Sequence, residues 1–201
     1  MQGSLFDGAP PKEERLTKGN YLVAPVPIRD AREMIERHHY AGGAAITAVA
    51  THGLYALAGR LMGVAWWMPP IKSAALATWP NWEAVLALSR LVILPEAPVN
   101  SASFLLGRSI RLIRQDPRWE CLVTYADTWR EHTGAIYRAT NWEYLGLTAP
   151  SPVWVKGGKL ICPKSGPKTR TADEMRELGA SLIGRFPKHK FRMIIKGGND
   201  D

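Results

Sequence analysis

The stretch from Leu88 to Gly146 decides the fold. It opens with the apolar strand pattern Leu88-Ser-Arg-Leu-Val-Ile-Leu94 and the small polar loop Pro95-Glu-Ala-Pro-Val-Asn-Ser-Ala-Ser103. Apolar residues then recur at helical spacing over residues 104–115, and a second apolar run over 121–126 predicts another strand. A further helix is predicted to end near Asn141, because asparagine tolerates the left-handed conformation of a helix cap. This alternation of strands and helices is typical of an α/β protein.

The loop before the first of these helices predicts an anion-binding site. The first N–H groups of a helix have no partner within the helix, and the helix dipole favours negative charge there. Small polar side chains in such a loop are also ordinary helix caps that need no ligand, so both interpretations stay open. The residues expected to face an anion are Asn100, Ser101, Ser103, Phe104 and Leu105.

Length and composition favour one globular domain. The chain has 201 residues, of which 46% are hydrophobic and 22% charged, and residues 1–19 are Gly/Pro-rich and polar enough to predict a disordered tail before a domain over 20–201. No run approaches the ~20 apolar residues of a membrane span, and no signal peptide pattern is present. Cys121 and Cys162 lie too far apart for a zinc knuckle, and Cys121 is expected to be a buried free thiol. We expect a cytoplasmic protein that has no membrane partner.

The charge is uneven along the chain. The formal net charge is +8, and residues 156–196 carry eleven basic and three acidic side chains. A concentrated basic region indicates nucleic-acid binding, although a solvated surface is the plain alternative. Aromatic residues in the loop over 71–82 are expected to stack on an unpaired base. The predicted DNA contacts are Trp79, Trp82, Lys164, Lys168, Arg170, Lys188, Lys190 and Arg192.

The remaining segments complete an order of β-α-β-β-(loop)-β-α-β-α-β-β, with a basic insertion over about 156–186. Thr171 is the expected N-cap of the helix inside this insertion. The other predicted elements are a strand over 21–26, a helix from about 28 that ends at Gly42-Gly43, a hairpin of 52–58 and 61–67, a hairpin around Gly157-Gly158, a helix over 172–183 and a strand over 191–195.

Several motifs resemble known families. The segment Ala135-Ile-Tyr137-Arg-Ala-Thr-Asn141-Trp142 resembles the end of the last helix in GNAT-type N-acyltransferases. Roughly residues 21–195 resemble the phage Mom DNA-modification proteins, a GNAT-like family. The motifs that carry this second resemblance are His38-His39-Tyr40-Ala41-Gly42, Leu88-Ser89-Arg90-Leu91, the Ser-rich loop that follows this strand, Tyr125-Ala126-Asp127, Ala139-Thr-Asn-Trp-Glu-Tyr-Leu-Gly146 and Pro187-Lys-His-Lys-Phe191-Arg-Met.

The resemblance implies a fold, a cofactor and an activity. The fold would be a mixed central sheet flanked by helices, and acetyl-CoA would bind with its pantetheine arm along the strand at Arg90, Leu91 and Val92. The activity would convert adenine in double-stranded DNA to its N6-methylcarbamoyl (acetamido) derivative and shield phage DNA from restriction. The segment Pro98-Val-Asn-Ser-Ala-Ser103 lacks both glycines of the usual GNAT pyrophosphate loop. This departure counts more against the interpretation as an ordinary acetyltransferase than against the interpretation as a Mom protein.

The same resemblance implies the catalytic residues. Tyr137 would protonate the departing thiolate, and His39, Tyr40 and Asp127 would meet at one pole of the sheet. His39 is alternatively a helix C-cap, Asp127 a helix N-cap, and Tyr137 a packing residue. His39, Tyr40 and Asp127 also form an N/O donor set of the kind that binds iron. Since adenine N6 is buried in a duplex, the base must be extruded.

Two rival functions remain at this point. One is an ordinary GNAT acetyltransferase acting on another amine, and the other is a DNA-binding protein without catalysis. The segment Gln2-Gly-Ser-Leu5-Phe6 resembles the peptide with which bacterial proteins dock on the replication sliding clamp, so the host clamp is a further expected partner.

Overall fold

The computed structural model describes residues 14–41, 43, 47–165 and 168–195. The clamp-like segment Gln2–Phe6 lies outside them and stays a prediction. The strands are β1 (Tyr21–Pro25), β2 (Ala50–Ala56), β3 (Leu61–Met68), β4 (Val85–Ile93), β5 (Cys121–Asp127), β6 (Glu143–Leu147), β7 (Ser151–Lys156), β8 (Lys159–Ile161), β9 (Lys164–Ser165), β10 (Lys168–Thr169), β11 (Ser181–Phe186) and β12 (Lys188–Ile194). The helices are α1 (Ile28–His38), α2 (Lys72–Leu76), α3 (Ser101–Ile113), α4 (Ala135–Ala139) and α5 (Ala172–Glu177).

Seven strands form the central sheet in the order β1-β2-β3-β4-β5-β12-β6. The pair β4 and β5 is parallel, and its two strands are joined by α3 as a crossover helix. The other neighbours in this sheet are antiparallel. The predicted α/β fold with a mixed central sheet is therefore confirmed.

The core lies on both faces of the sheet. On one face, α1 packs Ala31 and Ile35 against Val64 and Trp66. On the other face, α3 packs the apolar residues Leu105, Leu106 and Ile110, together with Trp67 from β3. Trp66 and Trp67 are both fully buried because neighbouring strand residues point to opposite faces of a covered sheet.

The basic insertion folds as a smaller sheet with the strand order β11-β7-β8. Thr171 caps α5 as predicted, in a reciprocal capping box with Glu174. The prediction of a helix over 172–183 is wrong in its second half. Gly179 adopts a left-handed conformation (φ +75°), and the chain then enters β11, which pairs with β7.

Other boundaries also differ from the predictions. The sequence predicts a tail over residues 1–19, but the Leu16 amide donates to the Val99 carbonyl (3.0 Å) and Lys18–Asn20 form a 3-10 turn. The loop over 71–82 contains α2, and α1 ends at His38 before the Gly-Gly pair. Asn141 does adopt the left-handed conformation expected of it, and Cys121 is buried. Among the described residues, no helix is long and apolar enough to cross a membrane.

Candidate active site

A cleft opens where β4 and β5 separate. The two strands pair in parallel only from Val85 opposite Cys121 to Leu88 opposite Thr124. A bulge at Ser89 then bends β4, which stays paired with β3 to Ile93 but leaves β5. The resulting cleft has a volume of about 510 Å³. Its walls come from residues 38–40, 88–93, 125–126 and 131–137.

The open edge of β4 offers backbone hydrogen-bonding groups to this cleft. The Leu94 amide donates to Met62 of β3 (2.9 Å), so alternate residues of β4 turn their backbone groups toward β3. By this alternation Leu91 and Ile93 face the gap, while Val92 faces β3. Of the three residues predicted to contact a pantetheine arm through the backbone, Leu91 is the one so oriented.

The start of α3 is not capped by a side chain. Asn100 is left-handed (φ +74°) and makes no side-chain cap, and the Ser103 hydroxyl donates to the Asn100 carbonyl (3.0 Å). Ser101 is 1% exposed, and its hydroxyl has no hydrogen-bond partner within the described part of the chain. The polar residues therefore do not serve as ordinary caps. Leu105 is packed in the core, so its side chain does not face a ligand.

Tyr40 and Asp127 come together from residues 87 positions apart. Asp127 is 7% exposed at the end of β5, its Oδ1 lies 2.7 Å from the Lys188 Nζ, and its Oδ2 accepts the Tyr40 hydroxyl. Burial raises the pKa of Asp127, but the hydrogen bonds from Lys188 and Tyr40 outweigh it and hold the pKa below its usual value. Burial and the Asp127 carboxylate raise the pKa of Tyr40, which stays protonated. No side-chain cap forms at Asp127, so the capping alternative is wrong.

His39 is stacked on Tyr40 with ring centroids 4.3 Å apart. Burial, and then the charge of Arg90, lower its pKa to about 4. The ring is therefore neutral at pH 7, and its Nδ1 accepts the Ala41 amide (3.1 Å). The neutral tautomer that fits this bond carries its proton on Nε2, so His39 is a hydrogen-bond donor at that atom.

Three further residues surround Tyr40 that the sequence analysis missed. The Arg130 guanidinium lies over the Tyr40 ring (5.1 Å), and the rings of Trp129 and His132 meet it edge-on at 6.0 and 5.7 Å. All three follow directly after β5. The sequence indicated these residues only by their position after β5, because open α/β sheets place their sites beyond the carboxyl ends of the strands.

Tyr137 borders the cleft from α4. It is buried against Trp142 and Phe191. Burial raises the pKa of its phenol, which also interacts with the Thr124 hydroxyl, so Tyr137 carries its proton at neutral pH. Packing and proton donation are thus compatible at this position.

Comparison with known proteins assigns the family. The model of the Mom protein family matches residues 20–195. The chain belongs to the Mom protein family. No curated protein matches the sequence.

Solved structures of similar fold include N-acetyltransferases of low sequence identity. An N-acetyltransferase from Staphylococcus aureus Mu50 is 14% identical (TM-score 0.53) over 88% of this chain and 99% of that chain. The ribosomal-protein-S18-alanine N-acetyltransferase from Escherichia coli is 11% identical (TM-score 0.53) over 90% and 97%. The Vibrio cholerae spermidine N-acetyltransferase, solved with CoA and spermine, is 7% identical (TM-score 0.53) over 88% and 96%. These likenesses establish the fold of this Mom-family chain.

The residues proposed to bind iron do not fit a metal in this arrangement. Both oxygens of Asp127 are engaged by Tyr40 and Lys188. Arg90 and Arg130 add positive charge beside the same cluster. Within the described ranges, no group of three His, Cys, Asp or Glu side chains is placed to hold a metal ion.

The two tryptophans expected beside the site lie elsewhere. Trp79 donates to Glu120 (3.0 Å), and Lys72 lies over the Trp82 ring (4.7 Å). Both rings pack on the cluster that contains Cys121, at the opposite end of β5 from Asp127. Their expected position is therefore wrong, because α2 and the turn after it carry them to the amino end of the parallel strands.

Several of the predicted phosphate contacts are engaged within the protein. Lys188 binds Asp127, Lys168 binds Glu174, and Arg192 binds Glu143. The Lys190 Nζ donates to the Ala77 carbonyl (2.9 Å). Lys164 and Arg170 form no ion pair with any described residue. DNA contact by any of these residues stays a prediction.

Proposed function

We propose that this Mom-family chain is a phage DNA-modifying transferase that converts adenine to N6-methylcarbamoyl adenine with acetyl-CoA and so protects DNA from restriction. The observation that carries the proposal is the open β4 edge, bordered by Tyr137 and by the Tyr40–Asp127 pair, in a chain that matches the Mom family over residues 20–195.

The residues present fit acetyl-CoA. The amides of Ala102 and Ser103 at the start of α3 have no hydrogen-bond partner among the described residues. They belong to the N-terminus of the helix, where free N–H groups and the helix dipole stabilise an anionic pyrophosphate. The buried Ser101 hydroxyl is a further unused polar group there, and Leu91 and Ile93 offer strand-like hydrogen bonds to an amide-bearing arm. When bound, acetyl-CoA supplies a two-carbon unit activated as a thioester.

The side chains around the cleft have distinct roles in this proposal. Tyr137 donates a proton to the leaving thiolate, since its raised pKa keeps it protonated. His39 donates through Nε2 to a ring nitrogen of the extruded adenine, and Asp127 fixes the Tyr40 hydroxyl. The amide of the product contains a nitrogen that acetyl-CoA lacks, and its N6–CH2 bond replaces a C–H bond of the acetyl methyl group. The conversion therefore also consumes a nitrogen donor such as ammonia, which displaces the thiolate, and a two-electron oxidant, which takes up the two hydrogens lost when the N6–CH2 bond forms.

Mass spectrometry of nucleosides from cells that express the chain tests the proposal. A new adenosine species heavier by one CH2CONH unit is the expected result. Acetylation of another amine instead would support an ordinary acetyltransferase, which the fold also allows. An unchanged nucleoside profile together with salt-dependent DNA binding would support a binding protein without catalysis.

Variants assign the chemistry to the cleft. Tyr40→Phe, Asp127→Asn and Ser103→Ala are expected to abolish or sharply lower the adenosine product while the protein remains folded. Tyr144→Phe is the matched control, because Tyr144 bonds His189 on the surface (2.9 Å) away from the cleft. If the three variants keep full activity, the site is misplaced; if Tyr144→Phe loses it equally, the effect is not local to the cleft.

A further inference from the structure

The β7–β8 hairpin ends in a tight basic tip. Gly157 (φ +55°) and Gly158 (φ +77°) form a two-residue turn, for which both central residues need positive φ. The strand residues next to the turn, Lys156 and Lys159, are paired directly opposite each other. Side chains so paired start from Cβ atoms only ~5 Å apart.

This pair is unfavourable for the fold alone. Like charges directly opposite in an antiparallel pair destabilise it. Residues 144–172 contain five basic and no acidic side chains, so no carboxylate lies nearby in sequence. Neither lysine forms an ion pair with any residue that the structure describes. A single lysine on the edge strand β8 is enough to discourage association of this edge with another sheet. Protection of the edge therefore does not explain why two lysines are paired at the tip.

The β2–β3 hairpin provides a contrast. The β2–β3 turn also presents glycine and a cation at its tip, Gly59 and Arg60. There the guanidinium is paired with Glu96 from the neighbouring loop. The fold therefore neutralises the β2–β3 tip internally and leaves the β7–β8 tip with two adjacent charges that no described carboxylate pairs.

We propose that the β7–β8 hairpin tip is a docking element for the phosphate backbone of duplex DNA. The inference rests on the proposed function, which makes duplex DNA the substrate, and adds a contact surface to it. Lys156 and Lys159 each engage a phosphate, and the polyanion removes their mutual repulsion. Lys164 and Arg170, which follow in the same acid-free segment, extend the basic surface. A hairpin tip at the end of the β11-β7-β8 sheet can contact phosphates along a DNA groove without reading the base sequence.

The test measures DNA affinity and fold stability together in the full-length chain. Binding of a fluorescent 20-base-pair duplex is followed over a range of salt concentrations for wild type, Lys156→Gln/Lys159→Gln and Lys156→Glu. The double variant is expected to flatten the slope of log affinity against log salt by up to ~1.8, at ~0.9 per phosphate contact. Its melting temperature is expected to stay equal or rise, because a repulsive pair has been removed. Lys156→Glu is expected to weaken DNA binding yet raise the melting temperature, since it makes the pair attractive.

Arg60→Gln on the β2–β3 hairpin is the matched control and is expected to leave the salt slope unchanged. If wild type binds duplex DNA but the double variant keeps its slope, the hairpin inference is overturned and the proposed function stands. A slope equally reduced by Arg60→Gln overturns it too, because the effect is then general to net charge. If wild type does not bind duplex DNA at any salt concentration, both the proposed function and the inference fail.

Discussion

Replacing Asp127 with asparagine removes the charge that joins Tyr40 to Lys188 while keeping the shape of the side chain. Hydrogen bonds to charged groups contribute ~1.5–3 kcal/mol, and an ion pair to a half-exposed lysine adds at most ~1 kcal/mol. Asparagine still accepts one hydrogen bond, so part of this stabilising free energy is retained. We expect Asp127→Asn to lower the free energy of unfolding by about 2 kcal/mol, which for a chain of this length lowers Tm by about 4–8 °C.

The stability lost in Asp127→Asn is expected to become smaller at low pH. The folded-state pKa of Asp127 lies below its unfolded value, so the carboxylate stabilises the fold fully above the unfolded value of ~3.9 and less as pH falls through the lowered pKa. Urea unfolding of wild type and Asp127→Asn should therefore show a constant difference from pH 8 to about 5. The difference should shrink below about pH 4.

A double-mutant cycle with Tyr40→Phe separates the pair from its surroundings. If the two substitutions are coupled, the double variant loses less stability than the sum of the single variants. Asp116→Asn is the matched control, because Asp116 is a surface carboxylate paired with Arg118 (2.6 Å), and exposed pairs contribute little. Additive effects, or an Asp127→Asn variant as stable as wild type at pH 7, would refute the argument that Asp127 organises the cluster.

Three other outcomes are expected. His39, with its pKa lowered to about 4 from 6.5, should show no ring titration by ¹⁵N NMR between pH 5 and 8. Its contribution to the stability of the fold should fall as pH drops from 6.5 to about 4, because in this range only the unfolded chain takes up the proton. Gly134→Ala should destabilise the protein by about 3 kcal/mol in denaturant unfolding, since φ is +72° and the new Cβ would lie 2.3 Å from Phe191; a loss under 1 kcal/mol would contradict this. A peptide of residues 1–12 should bind the bacterial sliding clamp at about micromolar strength and lose binding when the apolar pair of Gln2–Phe6 is replaced by alanine; no binding by the unmodified peptide ends that prediction.

Patterns that act within a few residues were readable from the sequence. Thr171 caps α5 and Asn141 turns left-handed because the chemistry of each acts on adjacent backbone groups. Trp66 and Trp67 are buried because an apolar run without alternation fits a strand covered on both faces. The alternation of strands and helices around Leu88 predicted the α/β fold in the same way.

The boundaries that failed depended on distant partners. α5 stops at Glu177, well short of the predicted end, because the following residues pair as β11 with β7, and residues 14–19 are held by Val99. Proximity to β4 in sequence predicts Trp79 and Trp82 beside the site, and that prediction is wrong. The chain between them and β4 packs at the amino end of the strands, which proximity in sequence does not specify.

The chemistry of the site was decided by tertiary structure. The sequence motifs indicate His39, Tyr40 and Asp127 as a group and predict Lys188 as a DNA contact, whereas in the structure Lys188 pairs with Asp127. Its position opposite Asp127 follows from the insertion of β12 between β5 and β6, a pairing across 61 residues. That pairing sets which charges neutralise Asp127, and hence which protons the cluster holds. Residue types and local spacing determine which groups are available, whereas long-range strand pairing determines which of them meet.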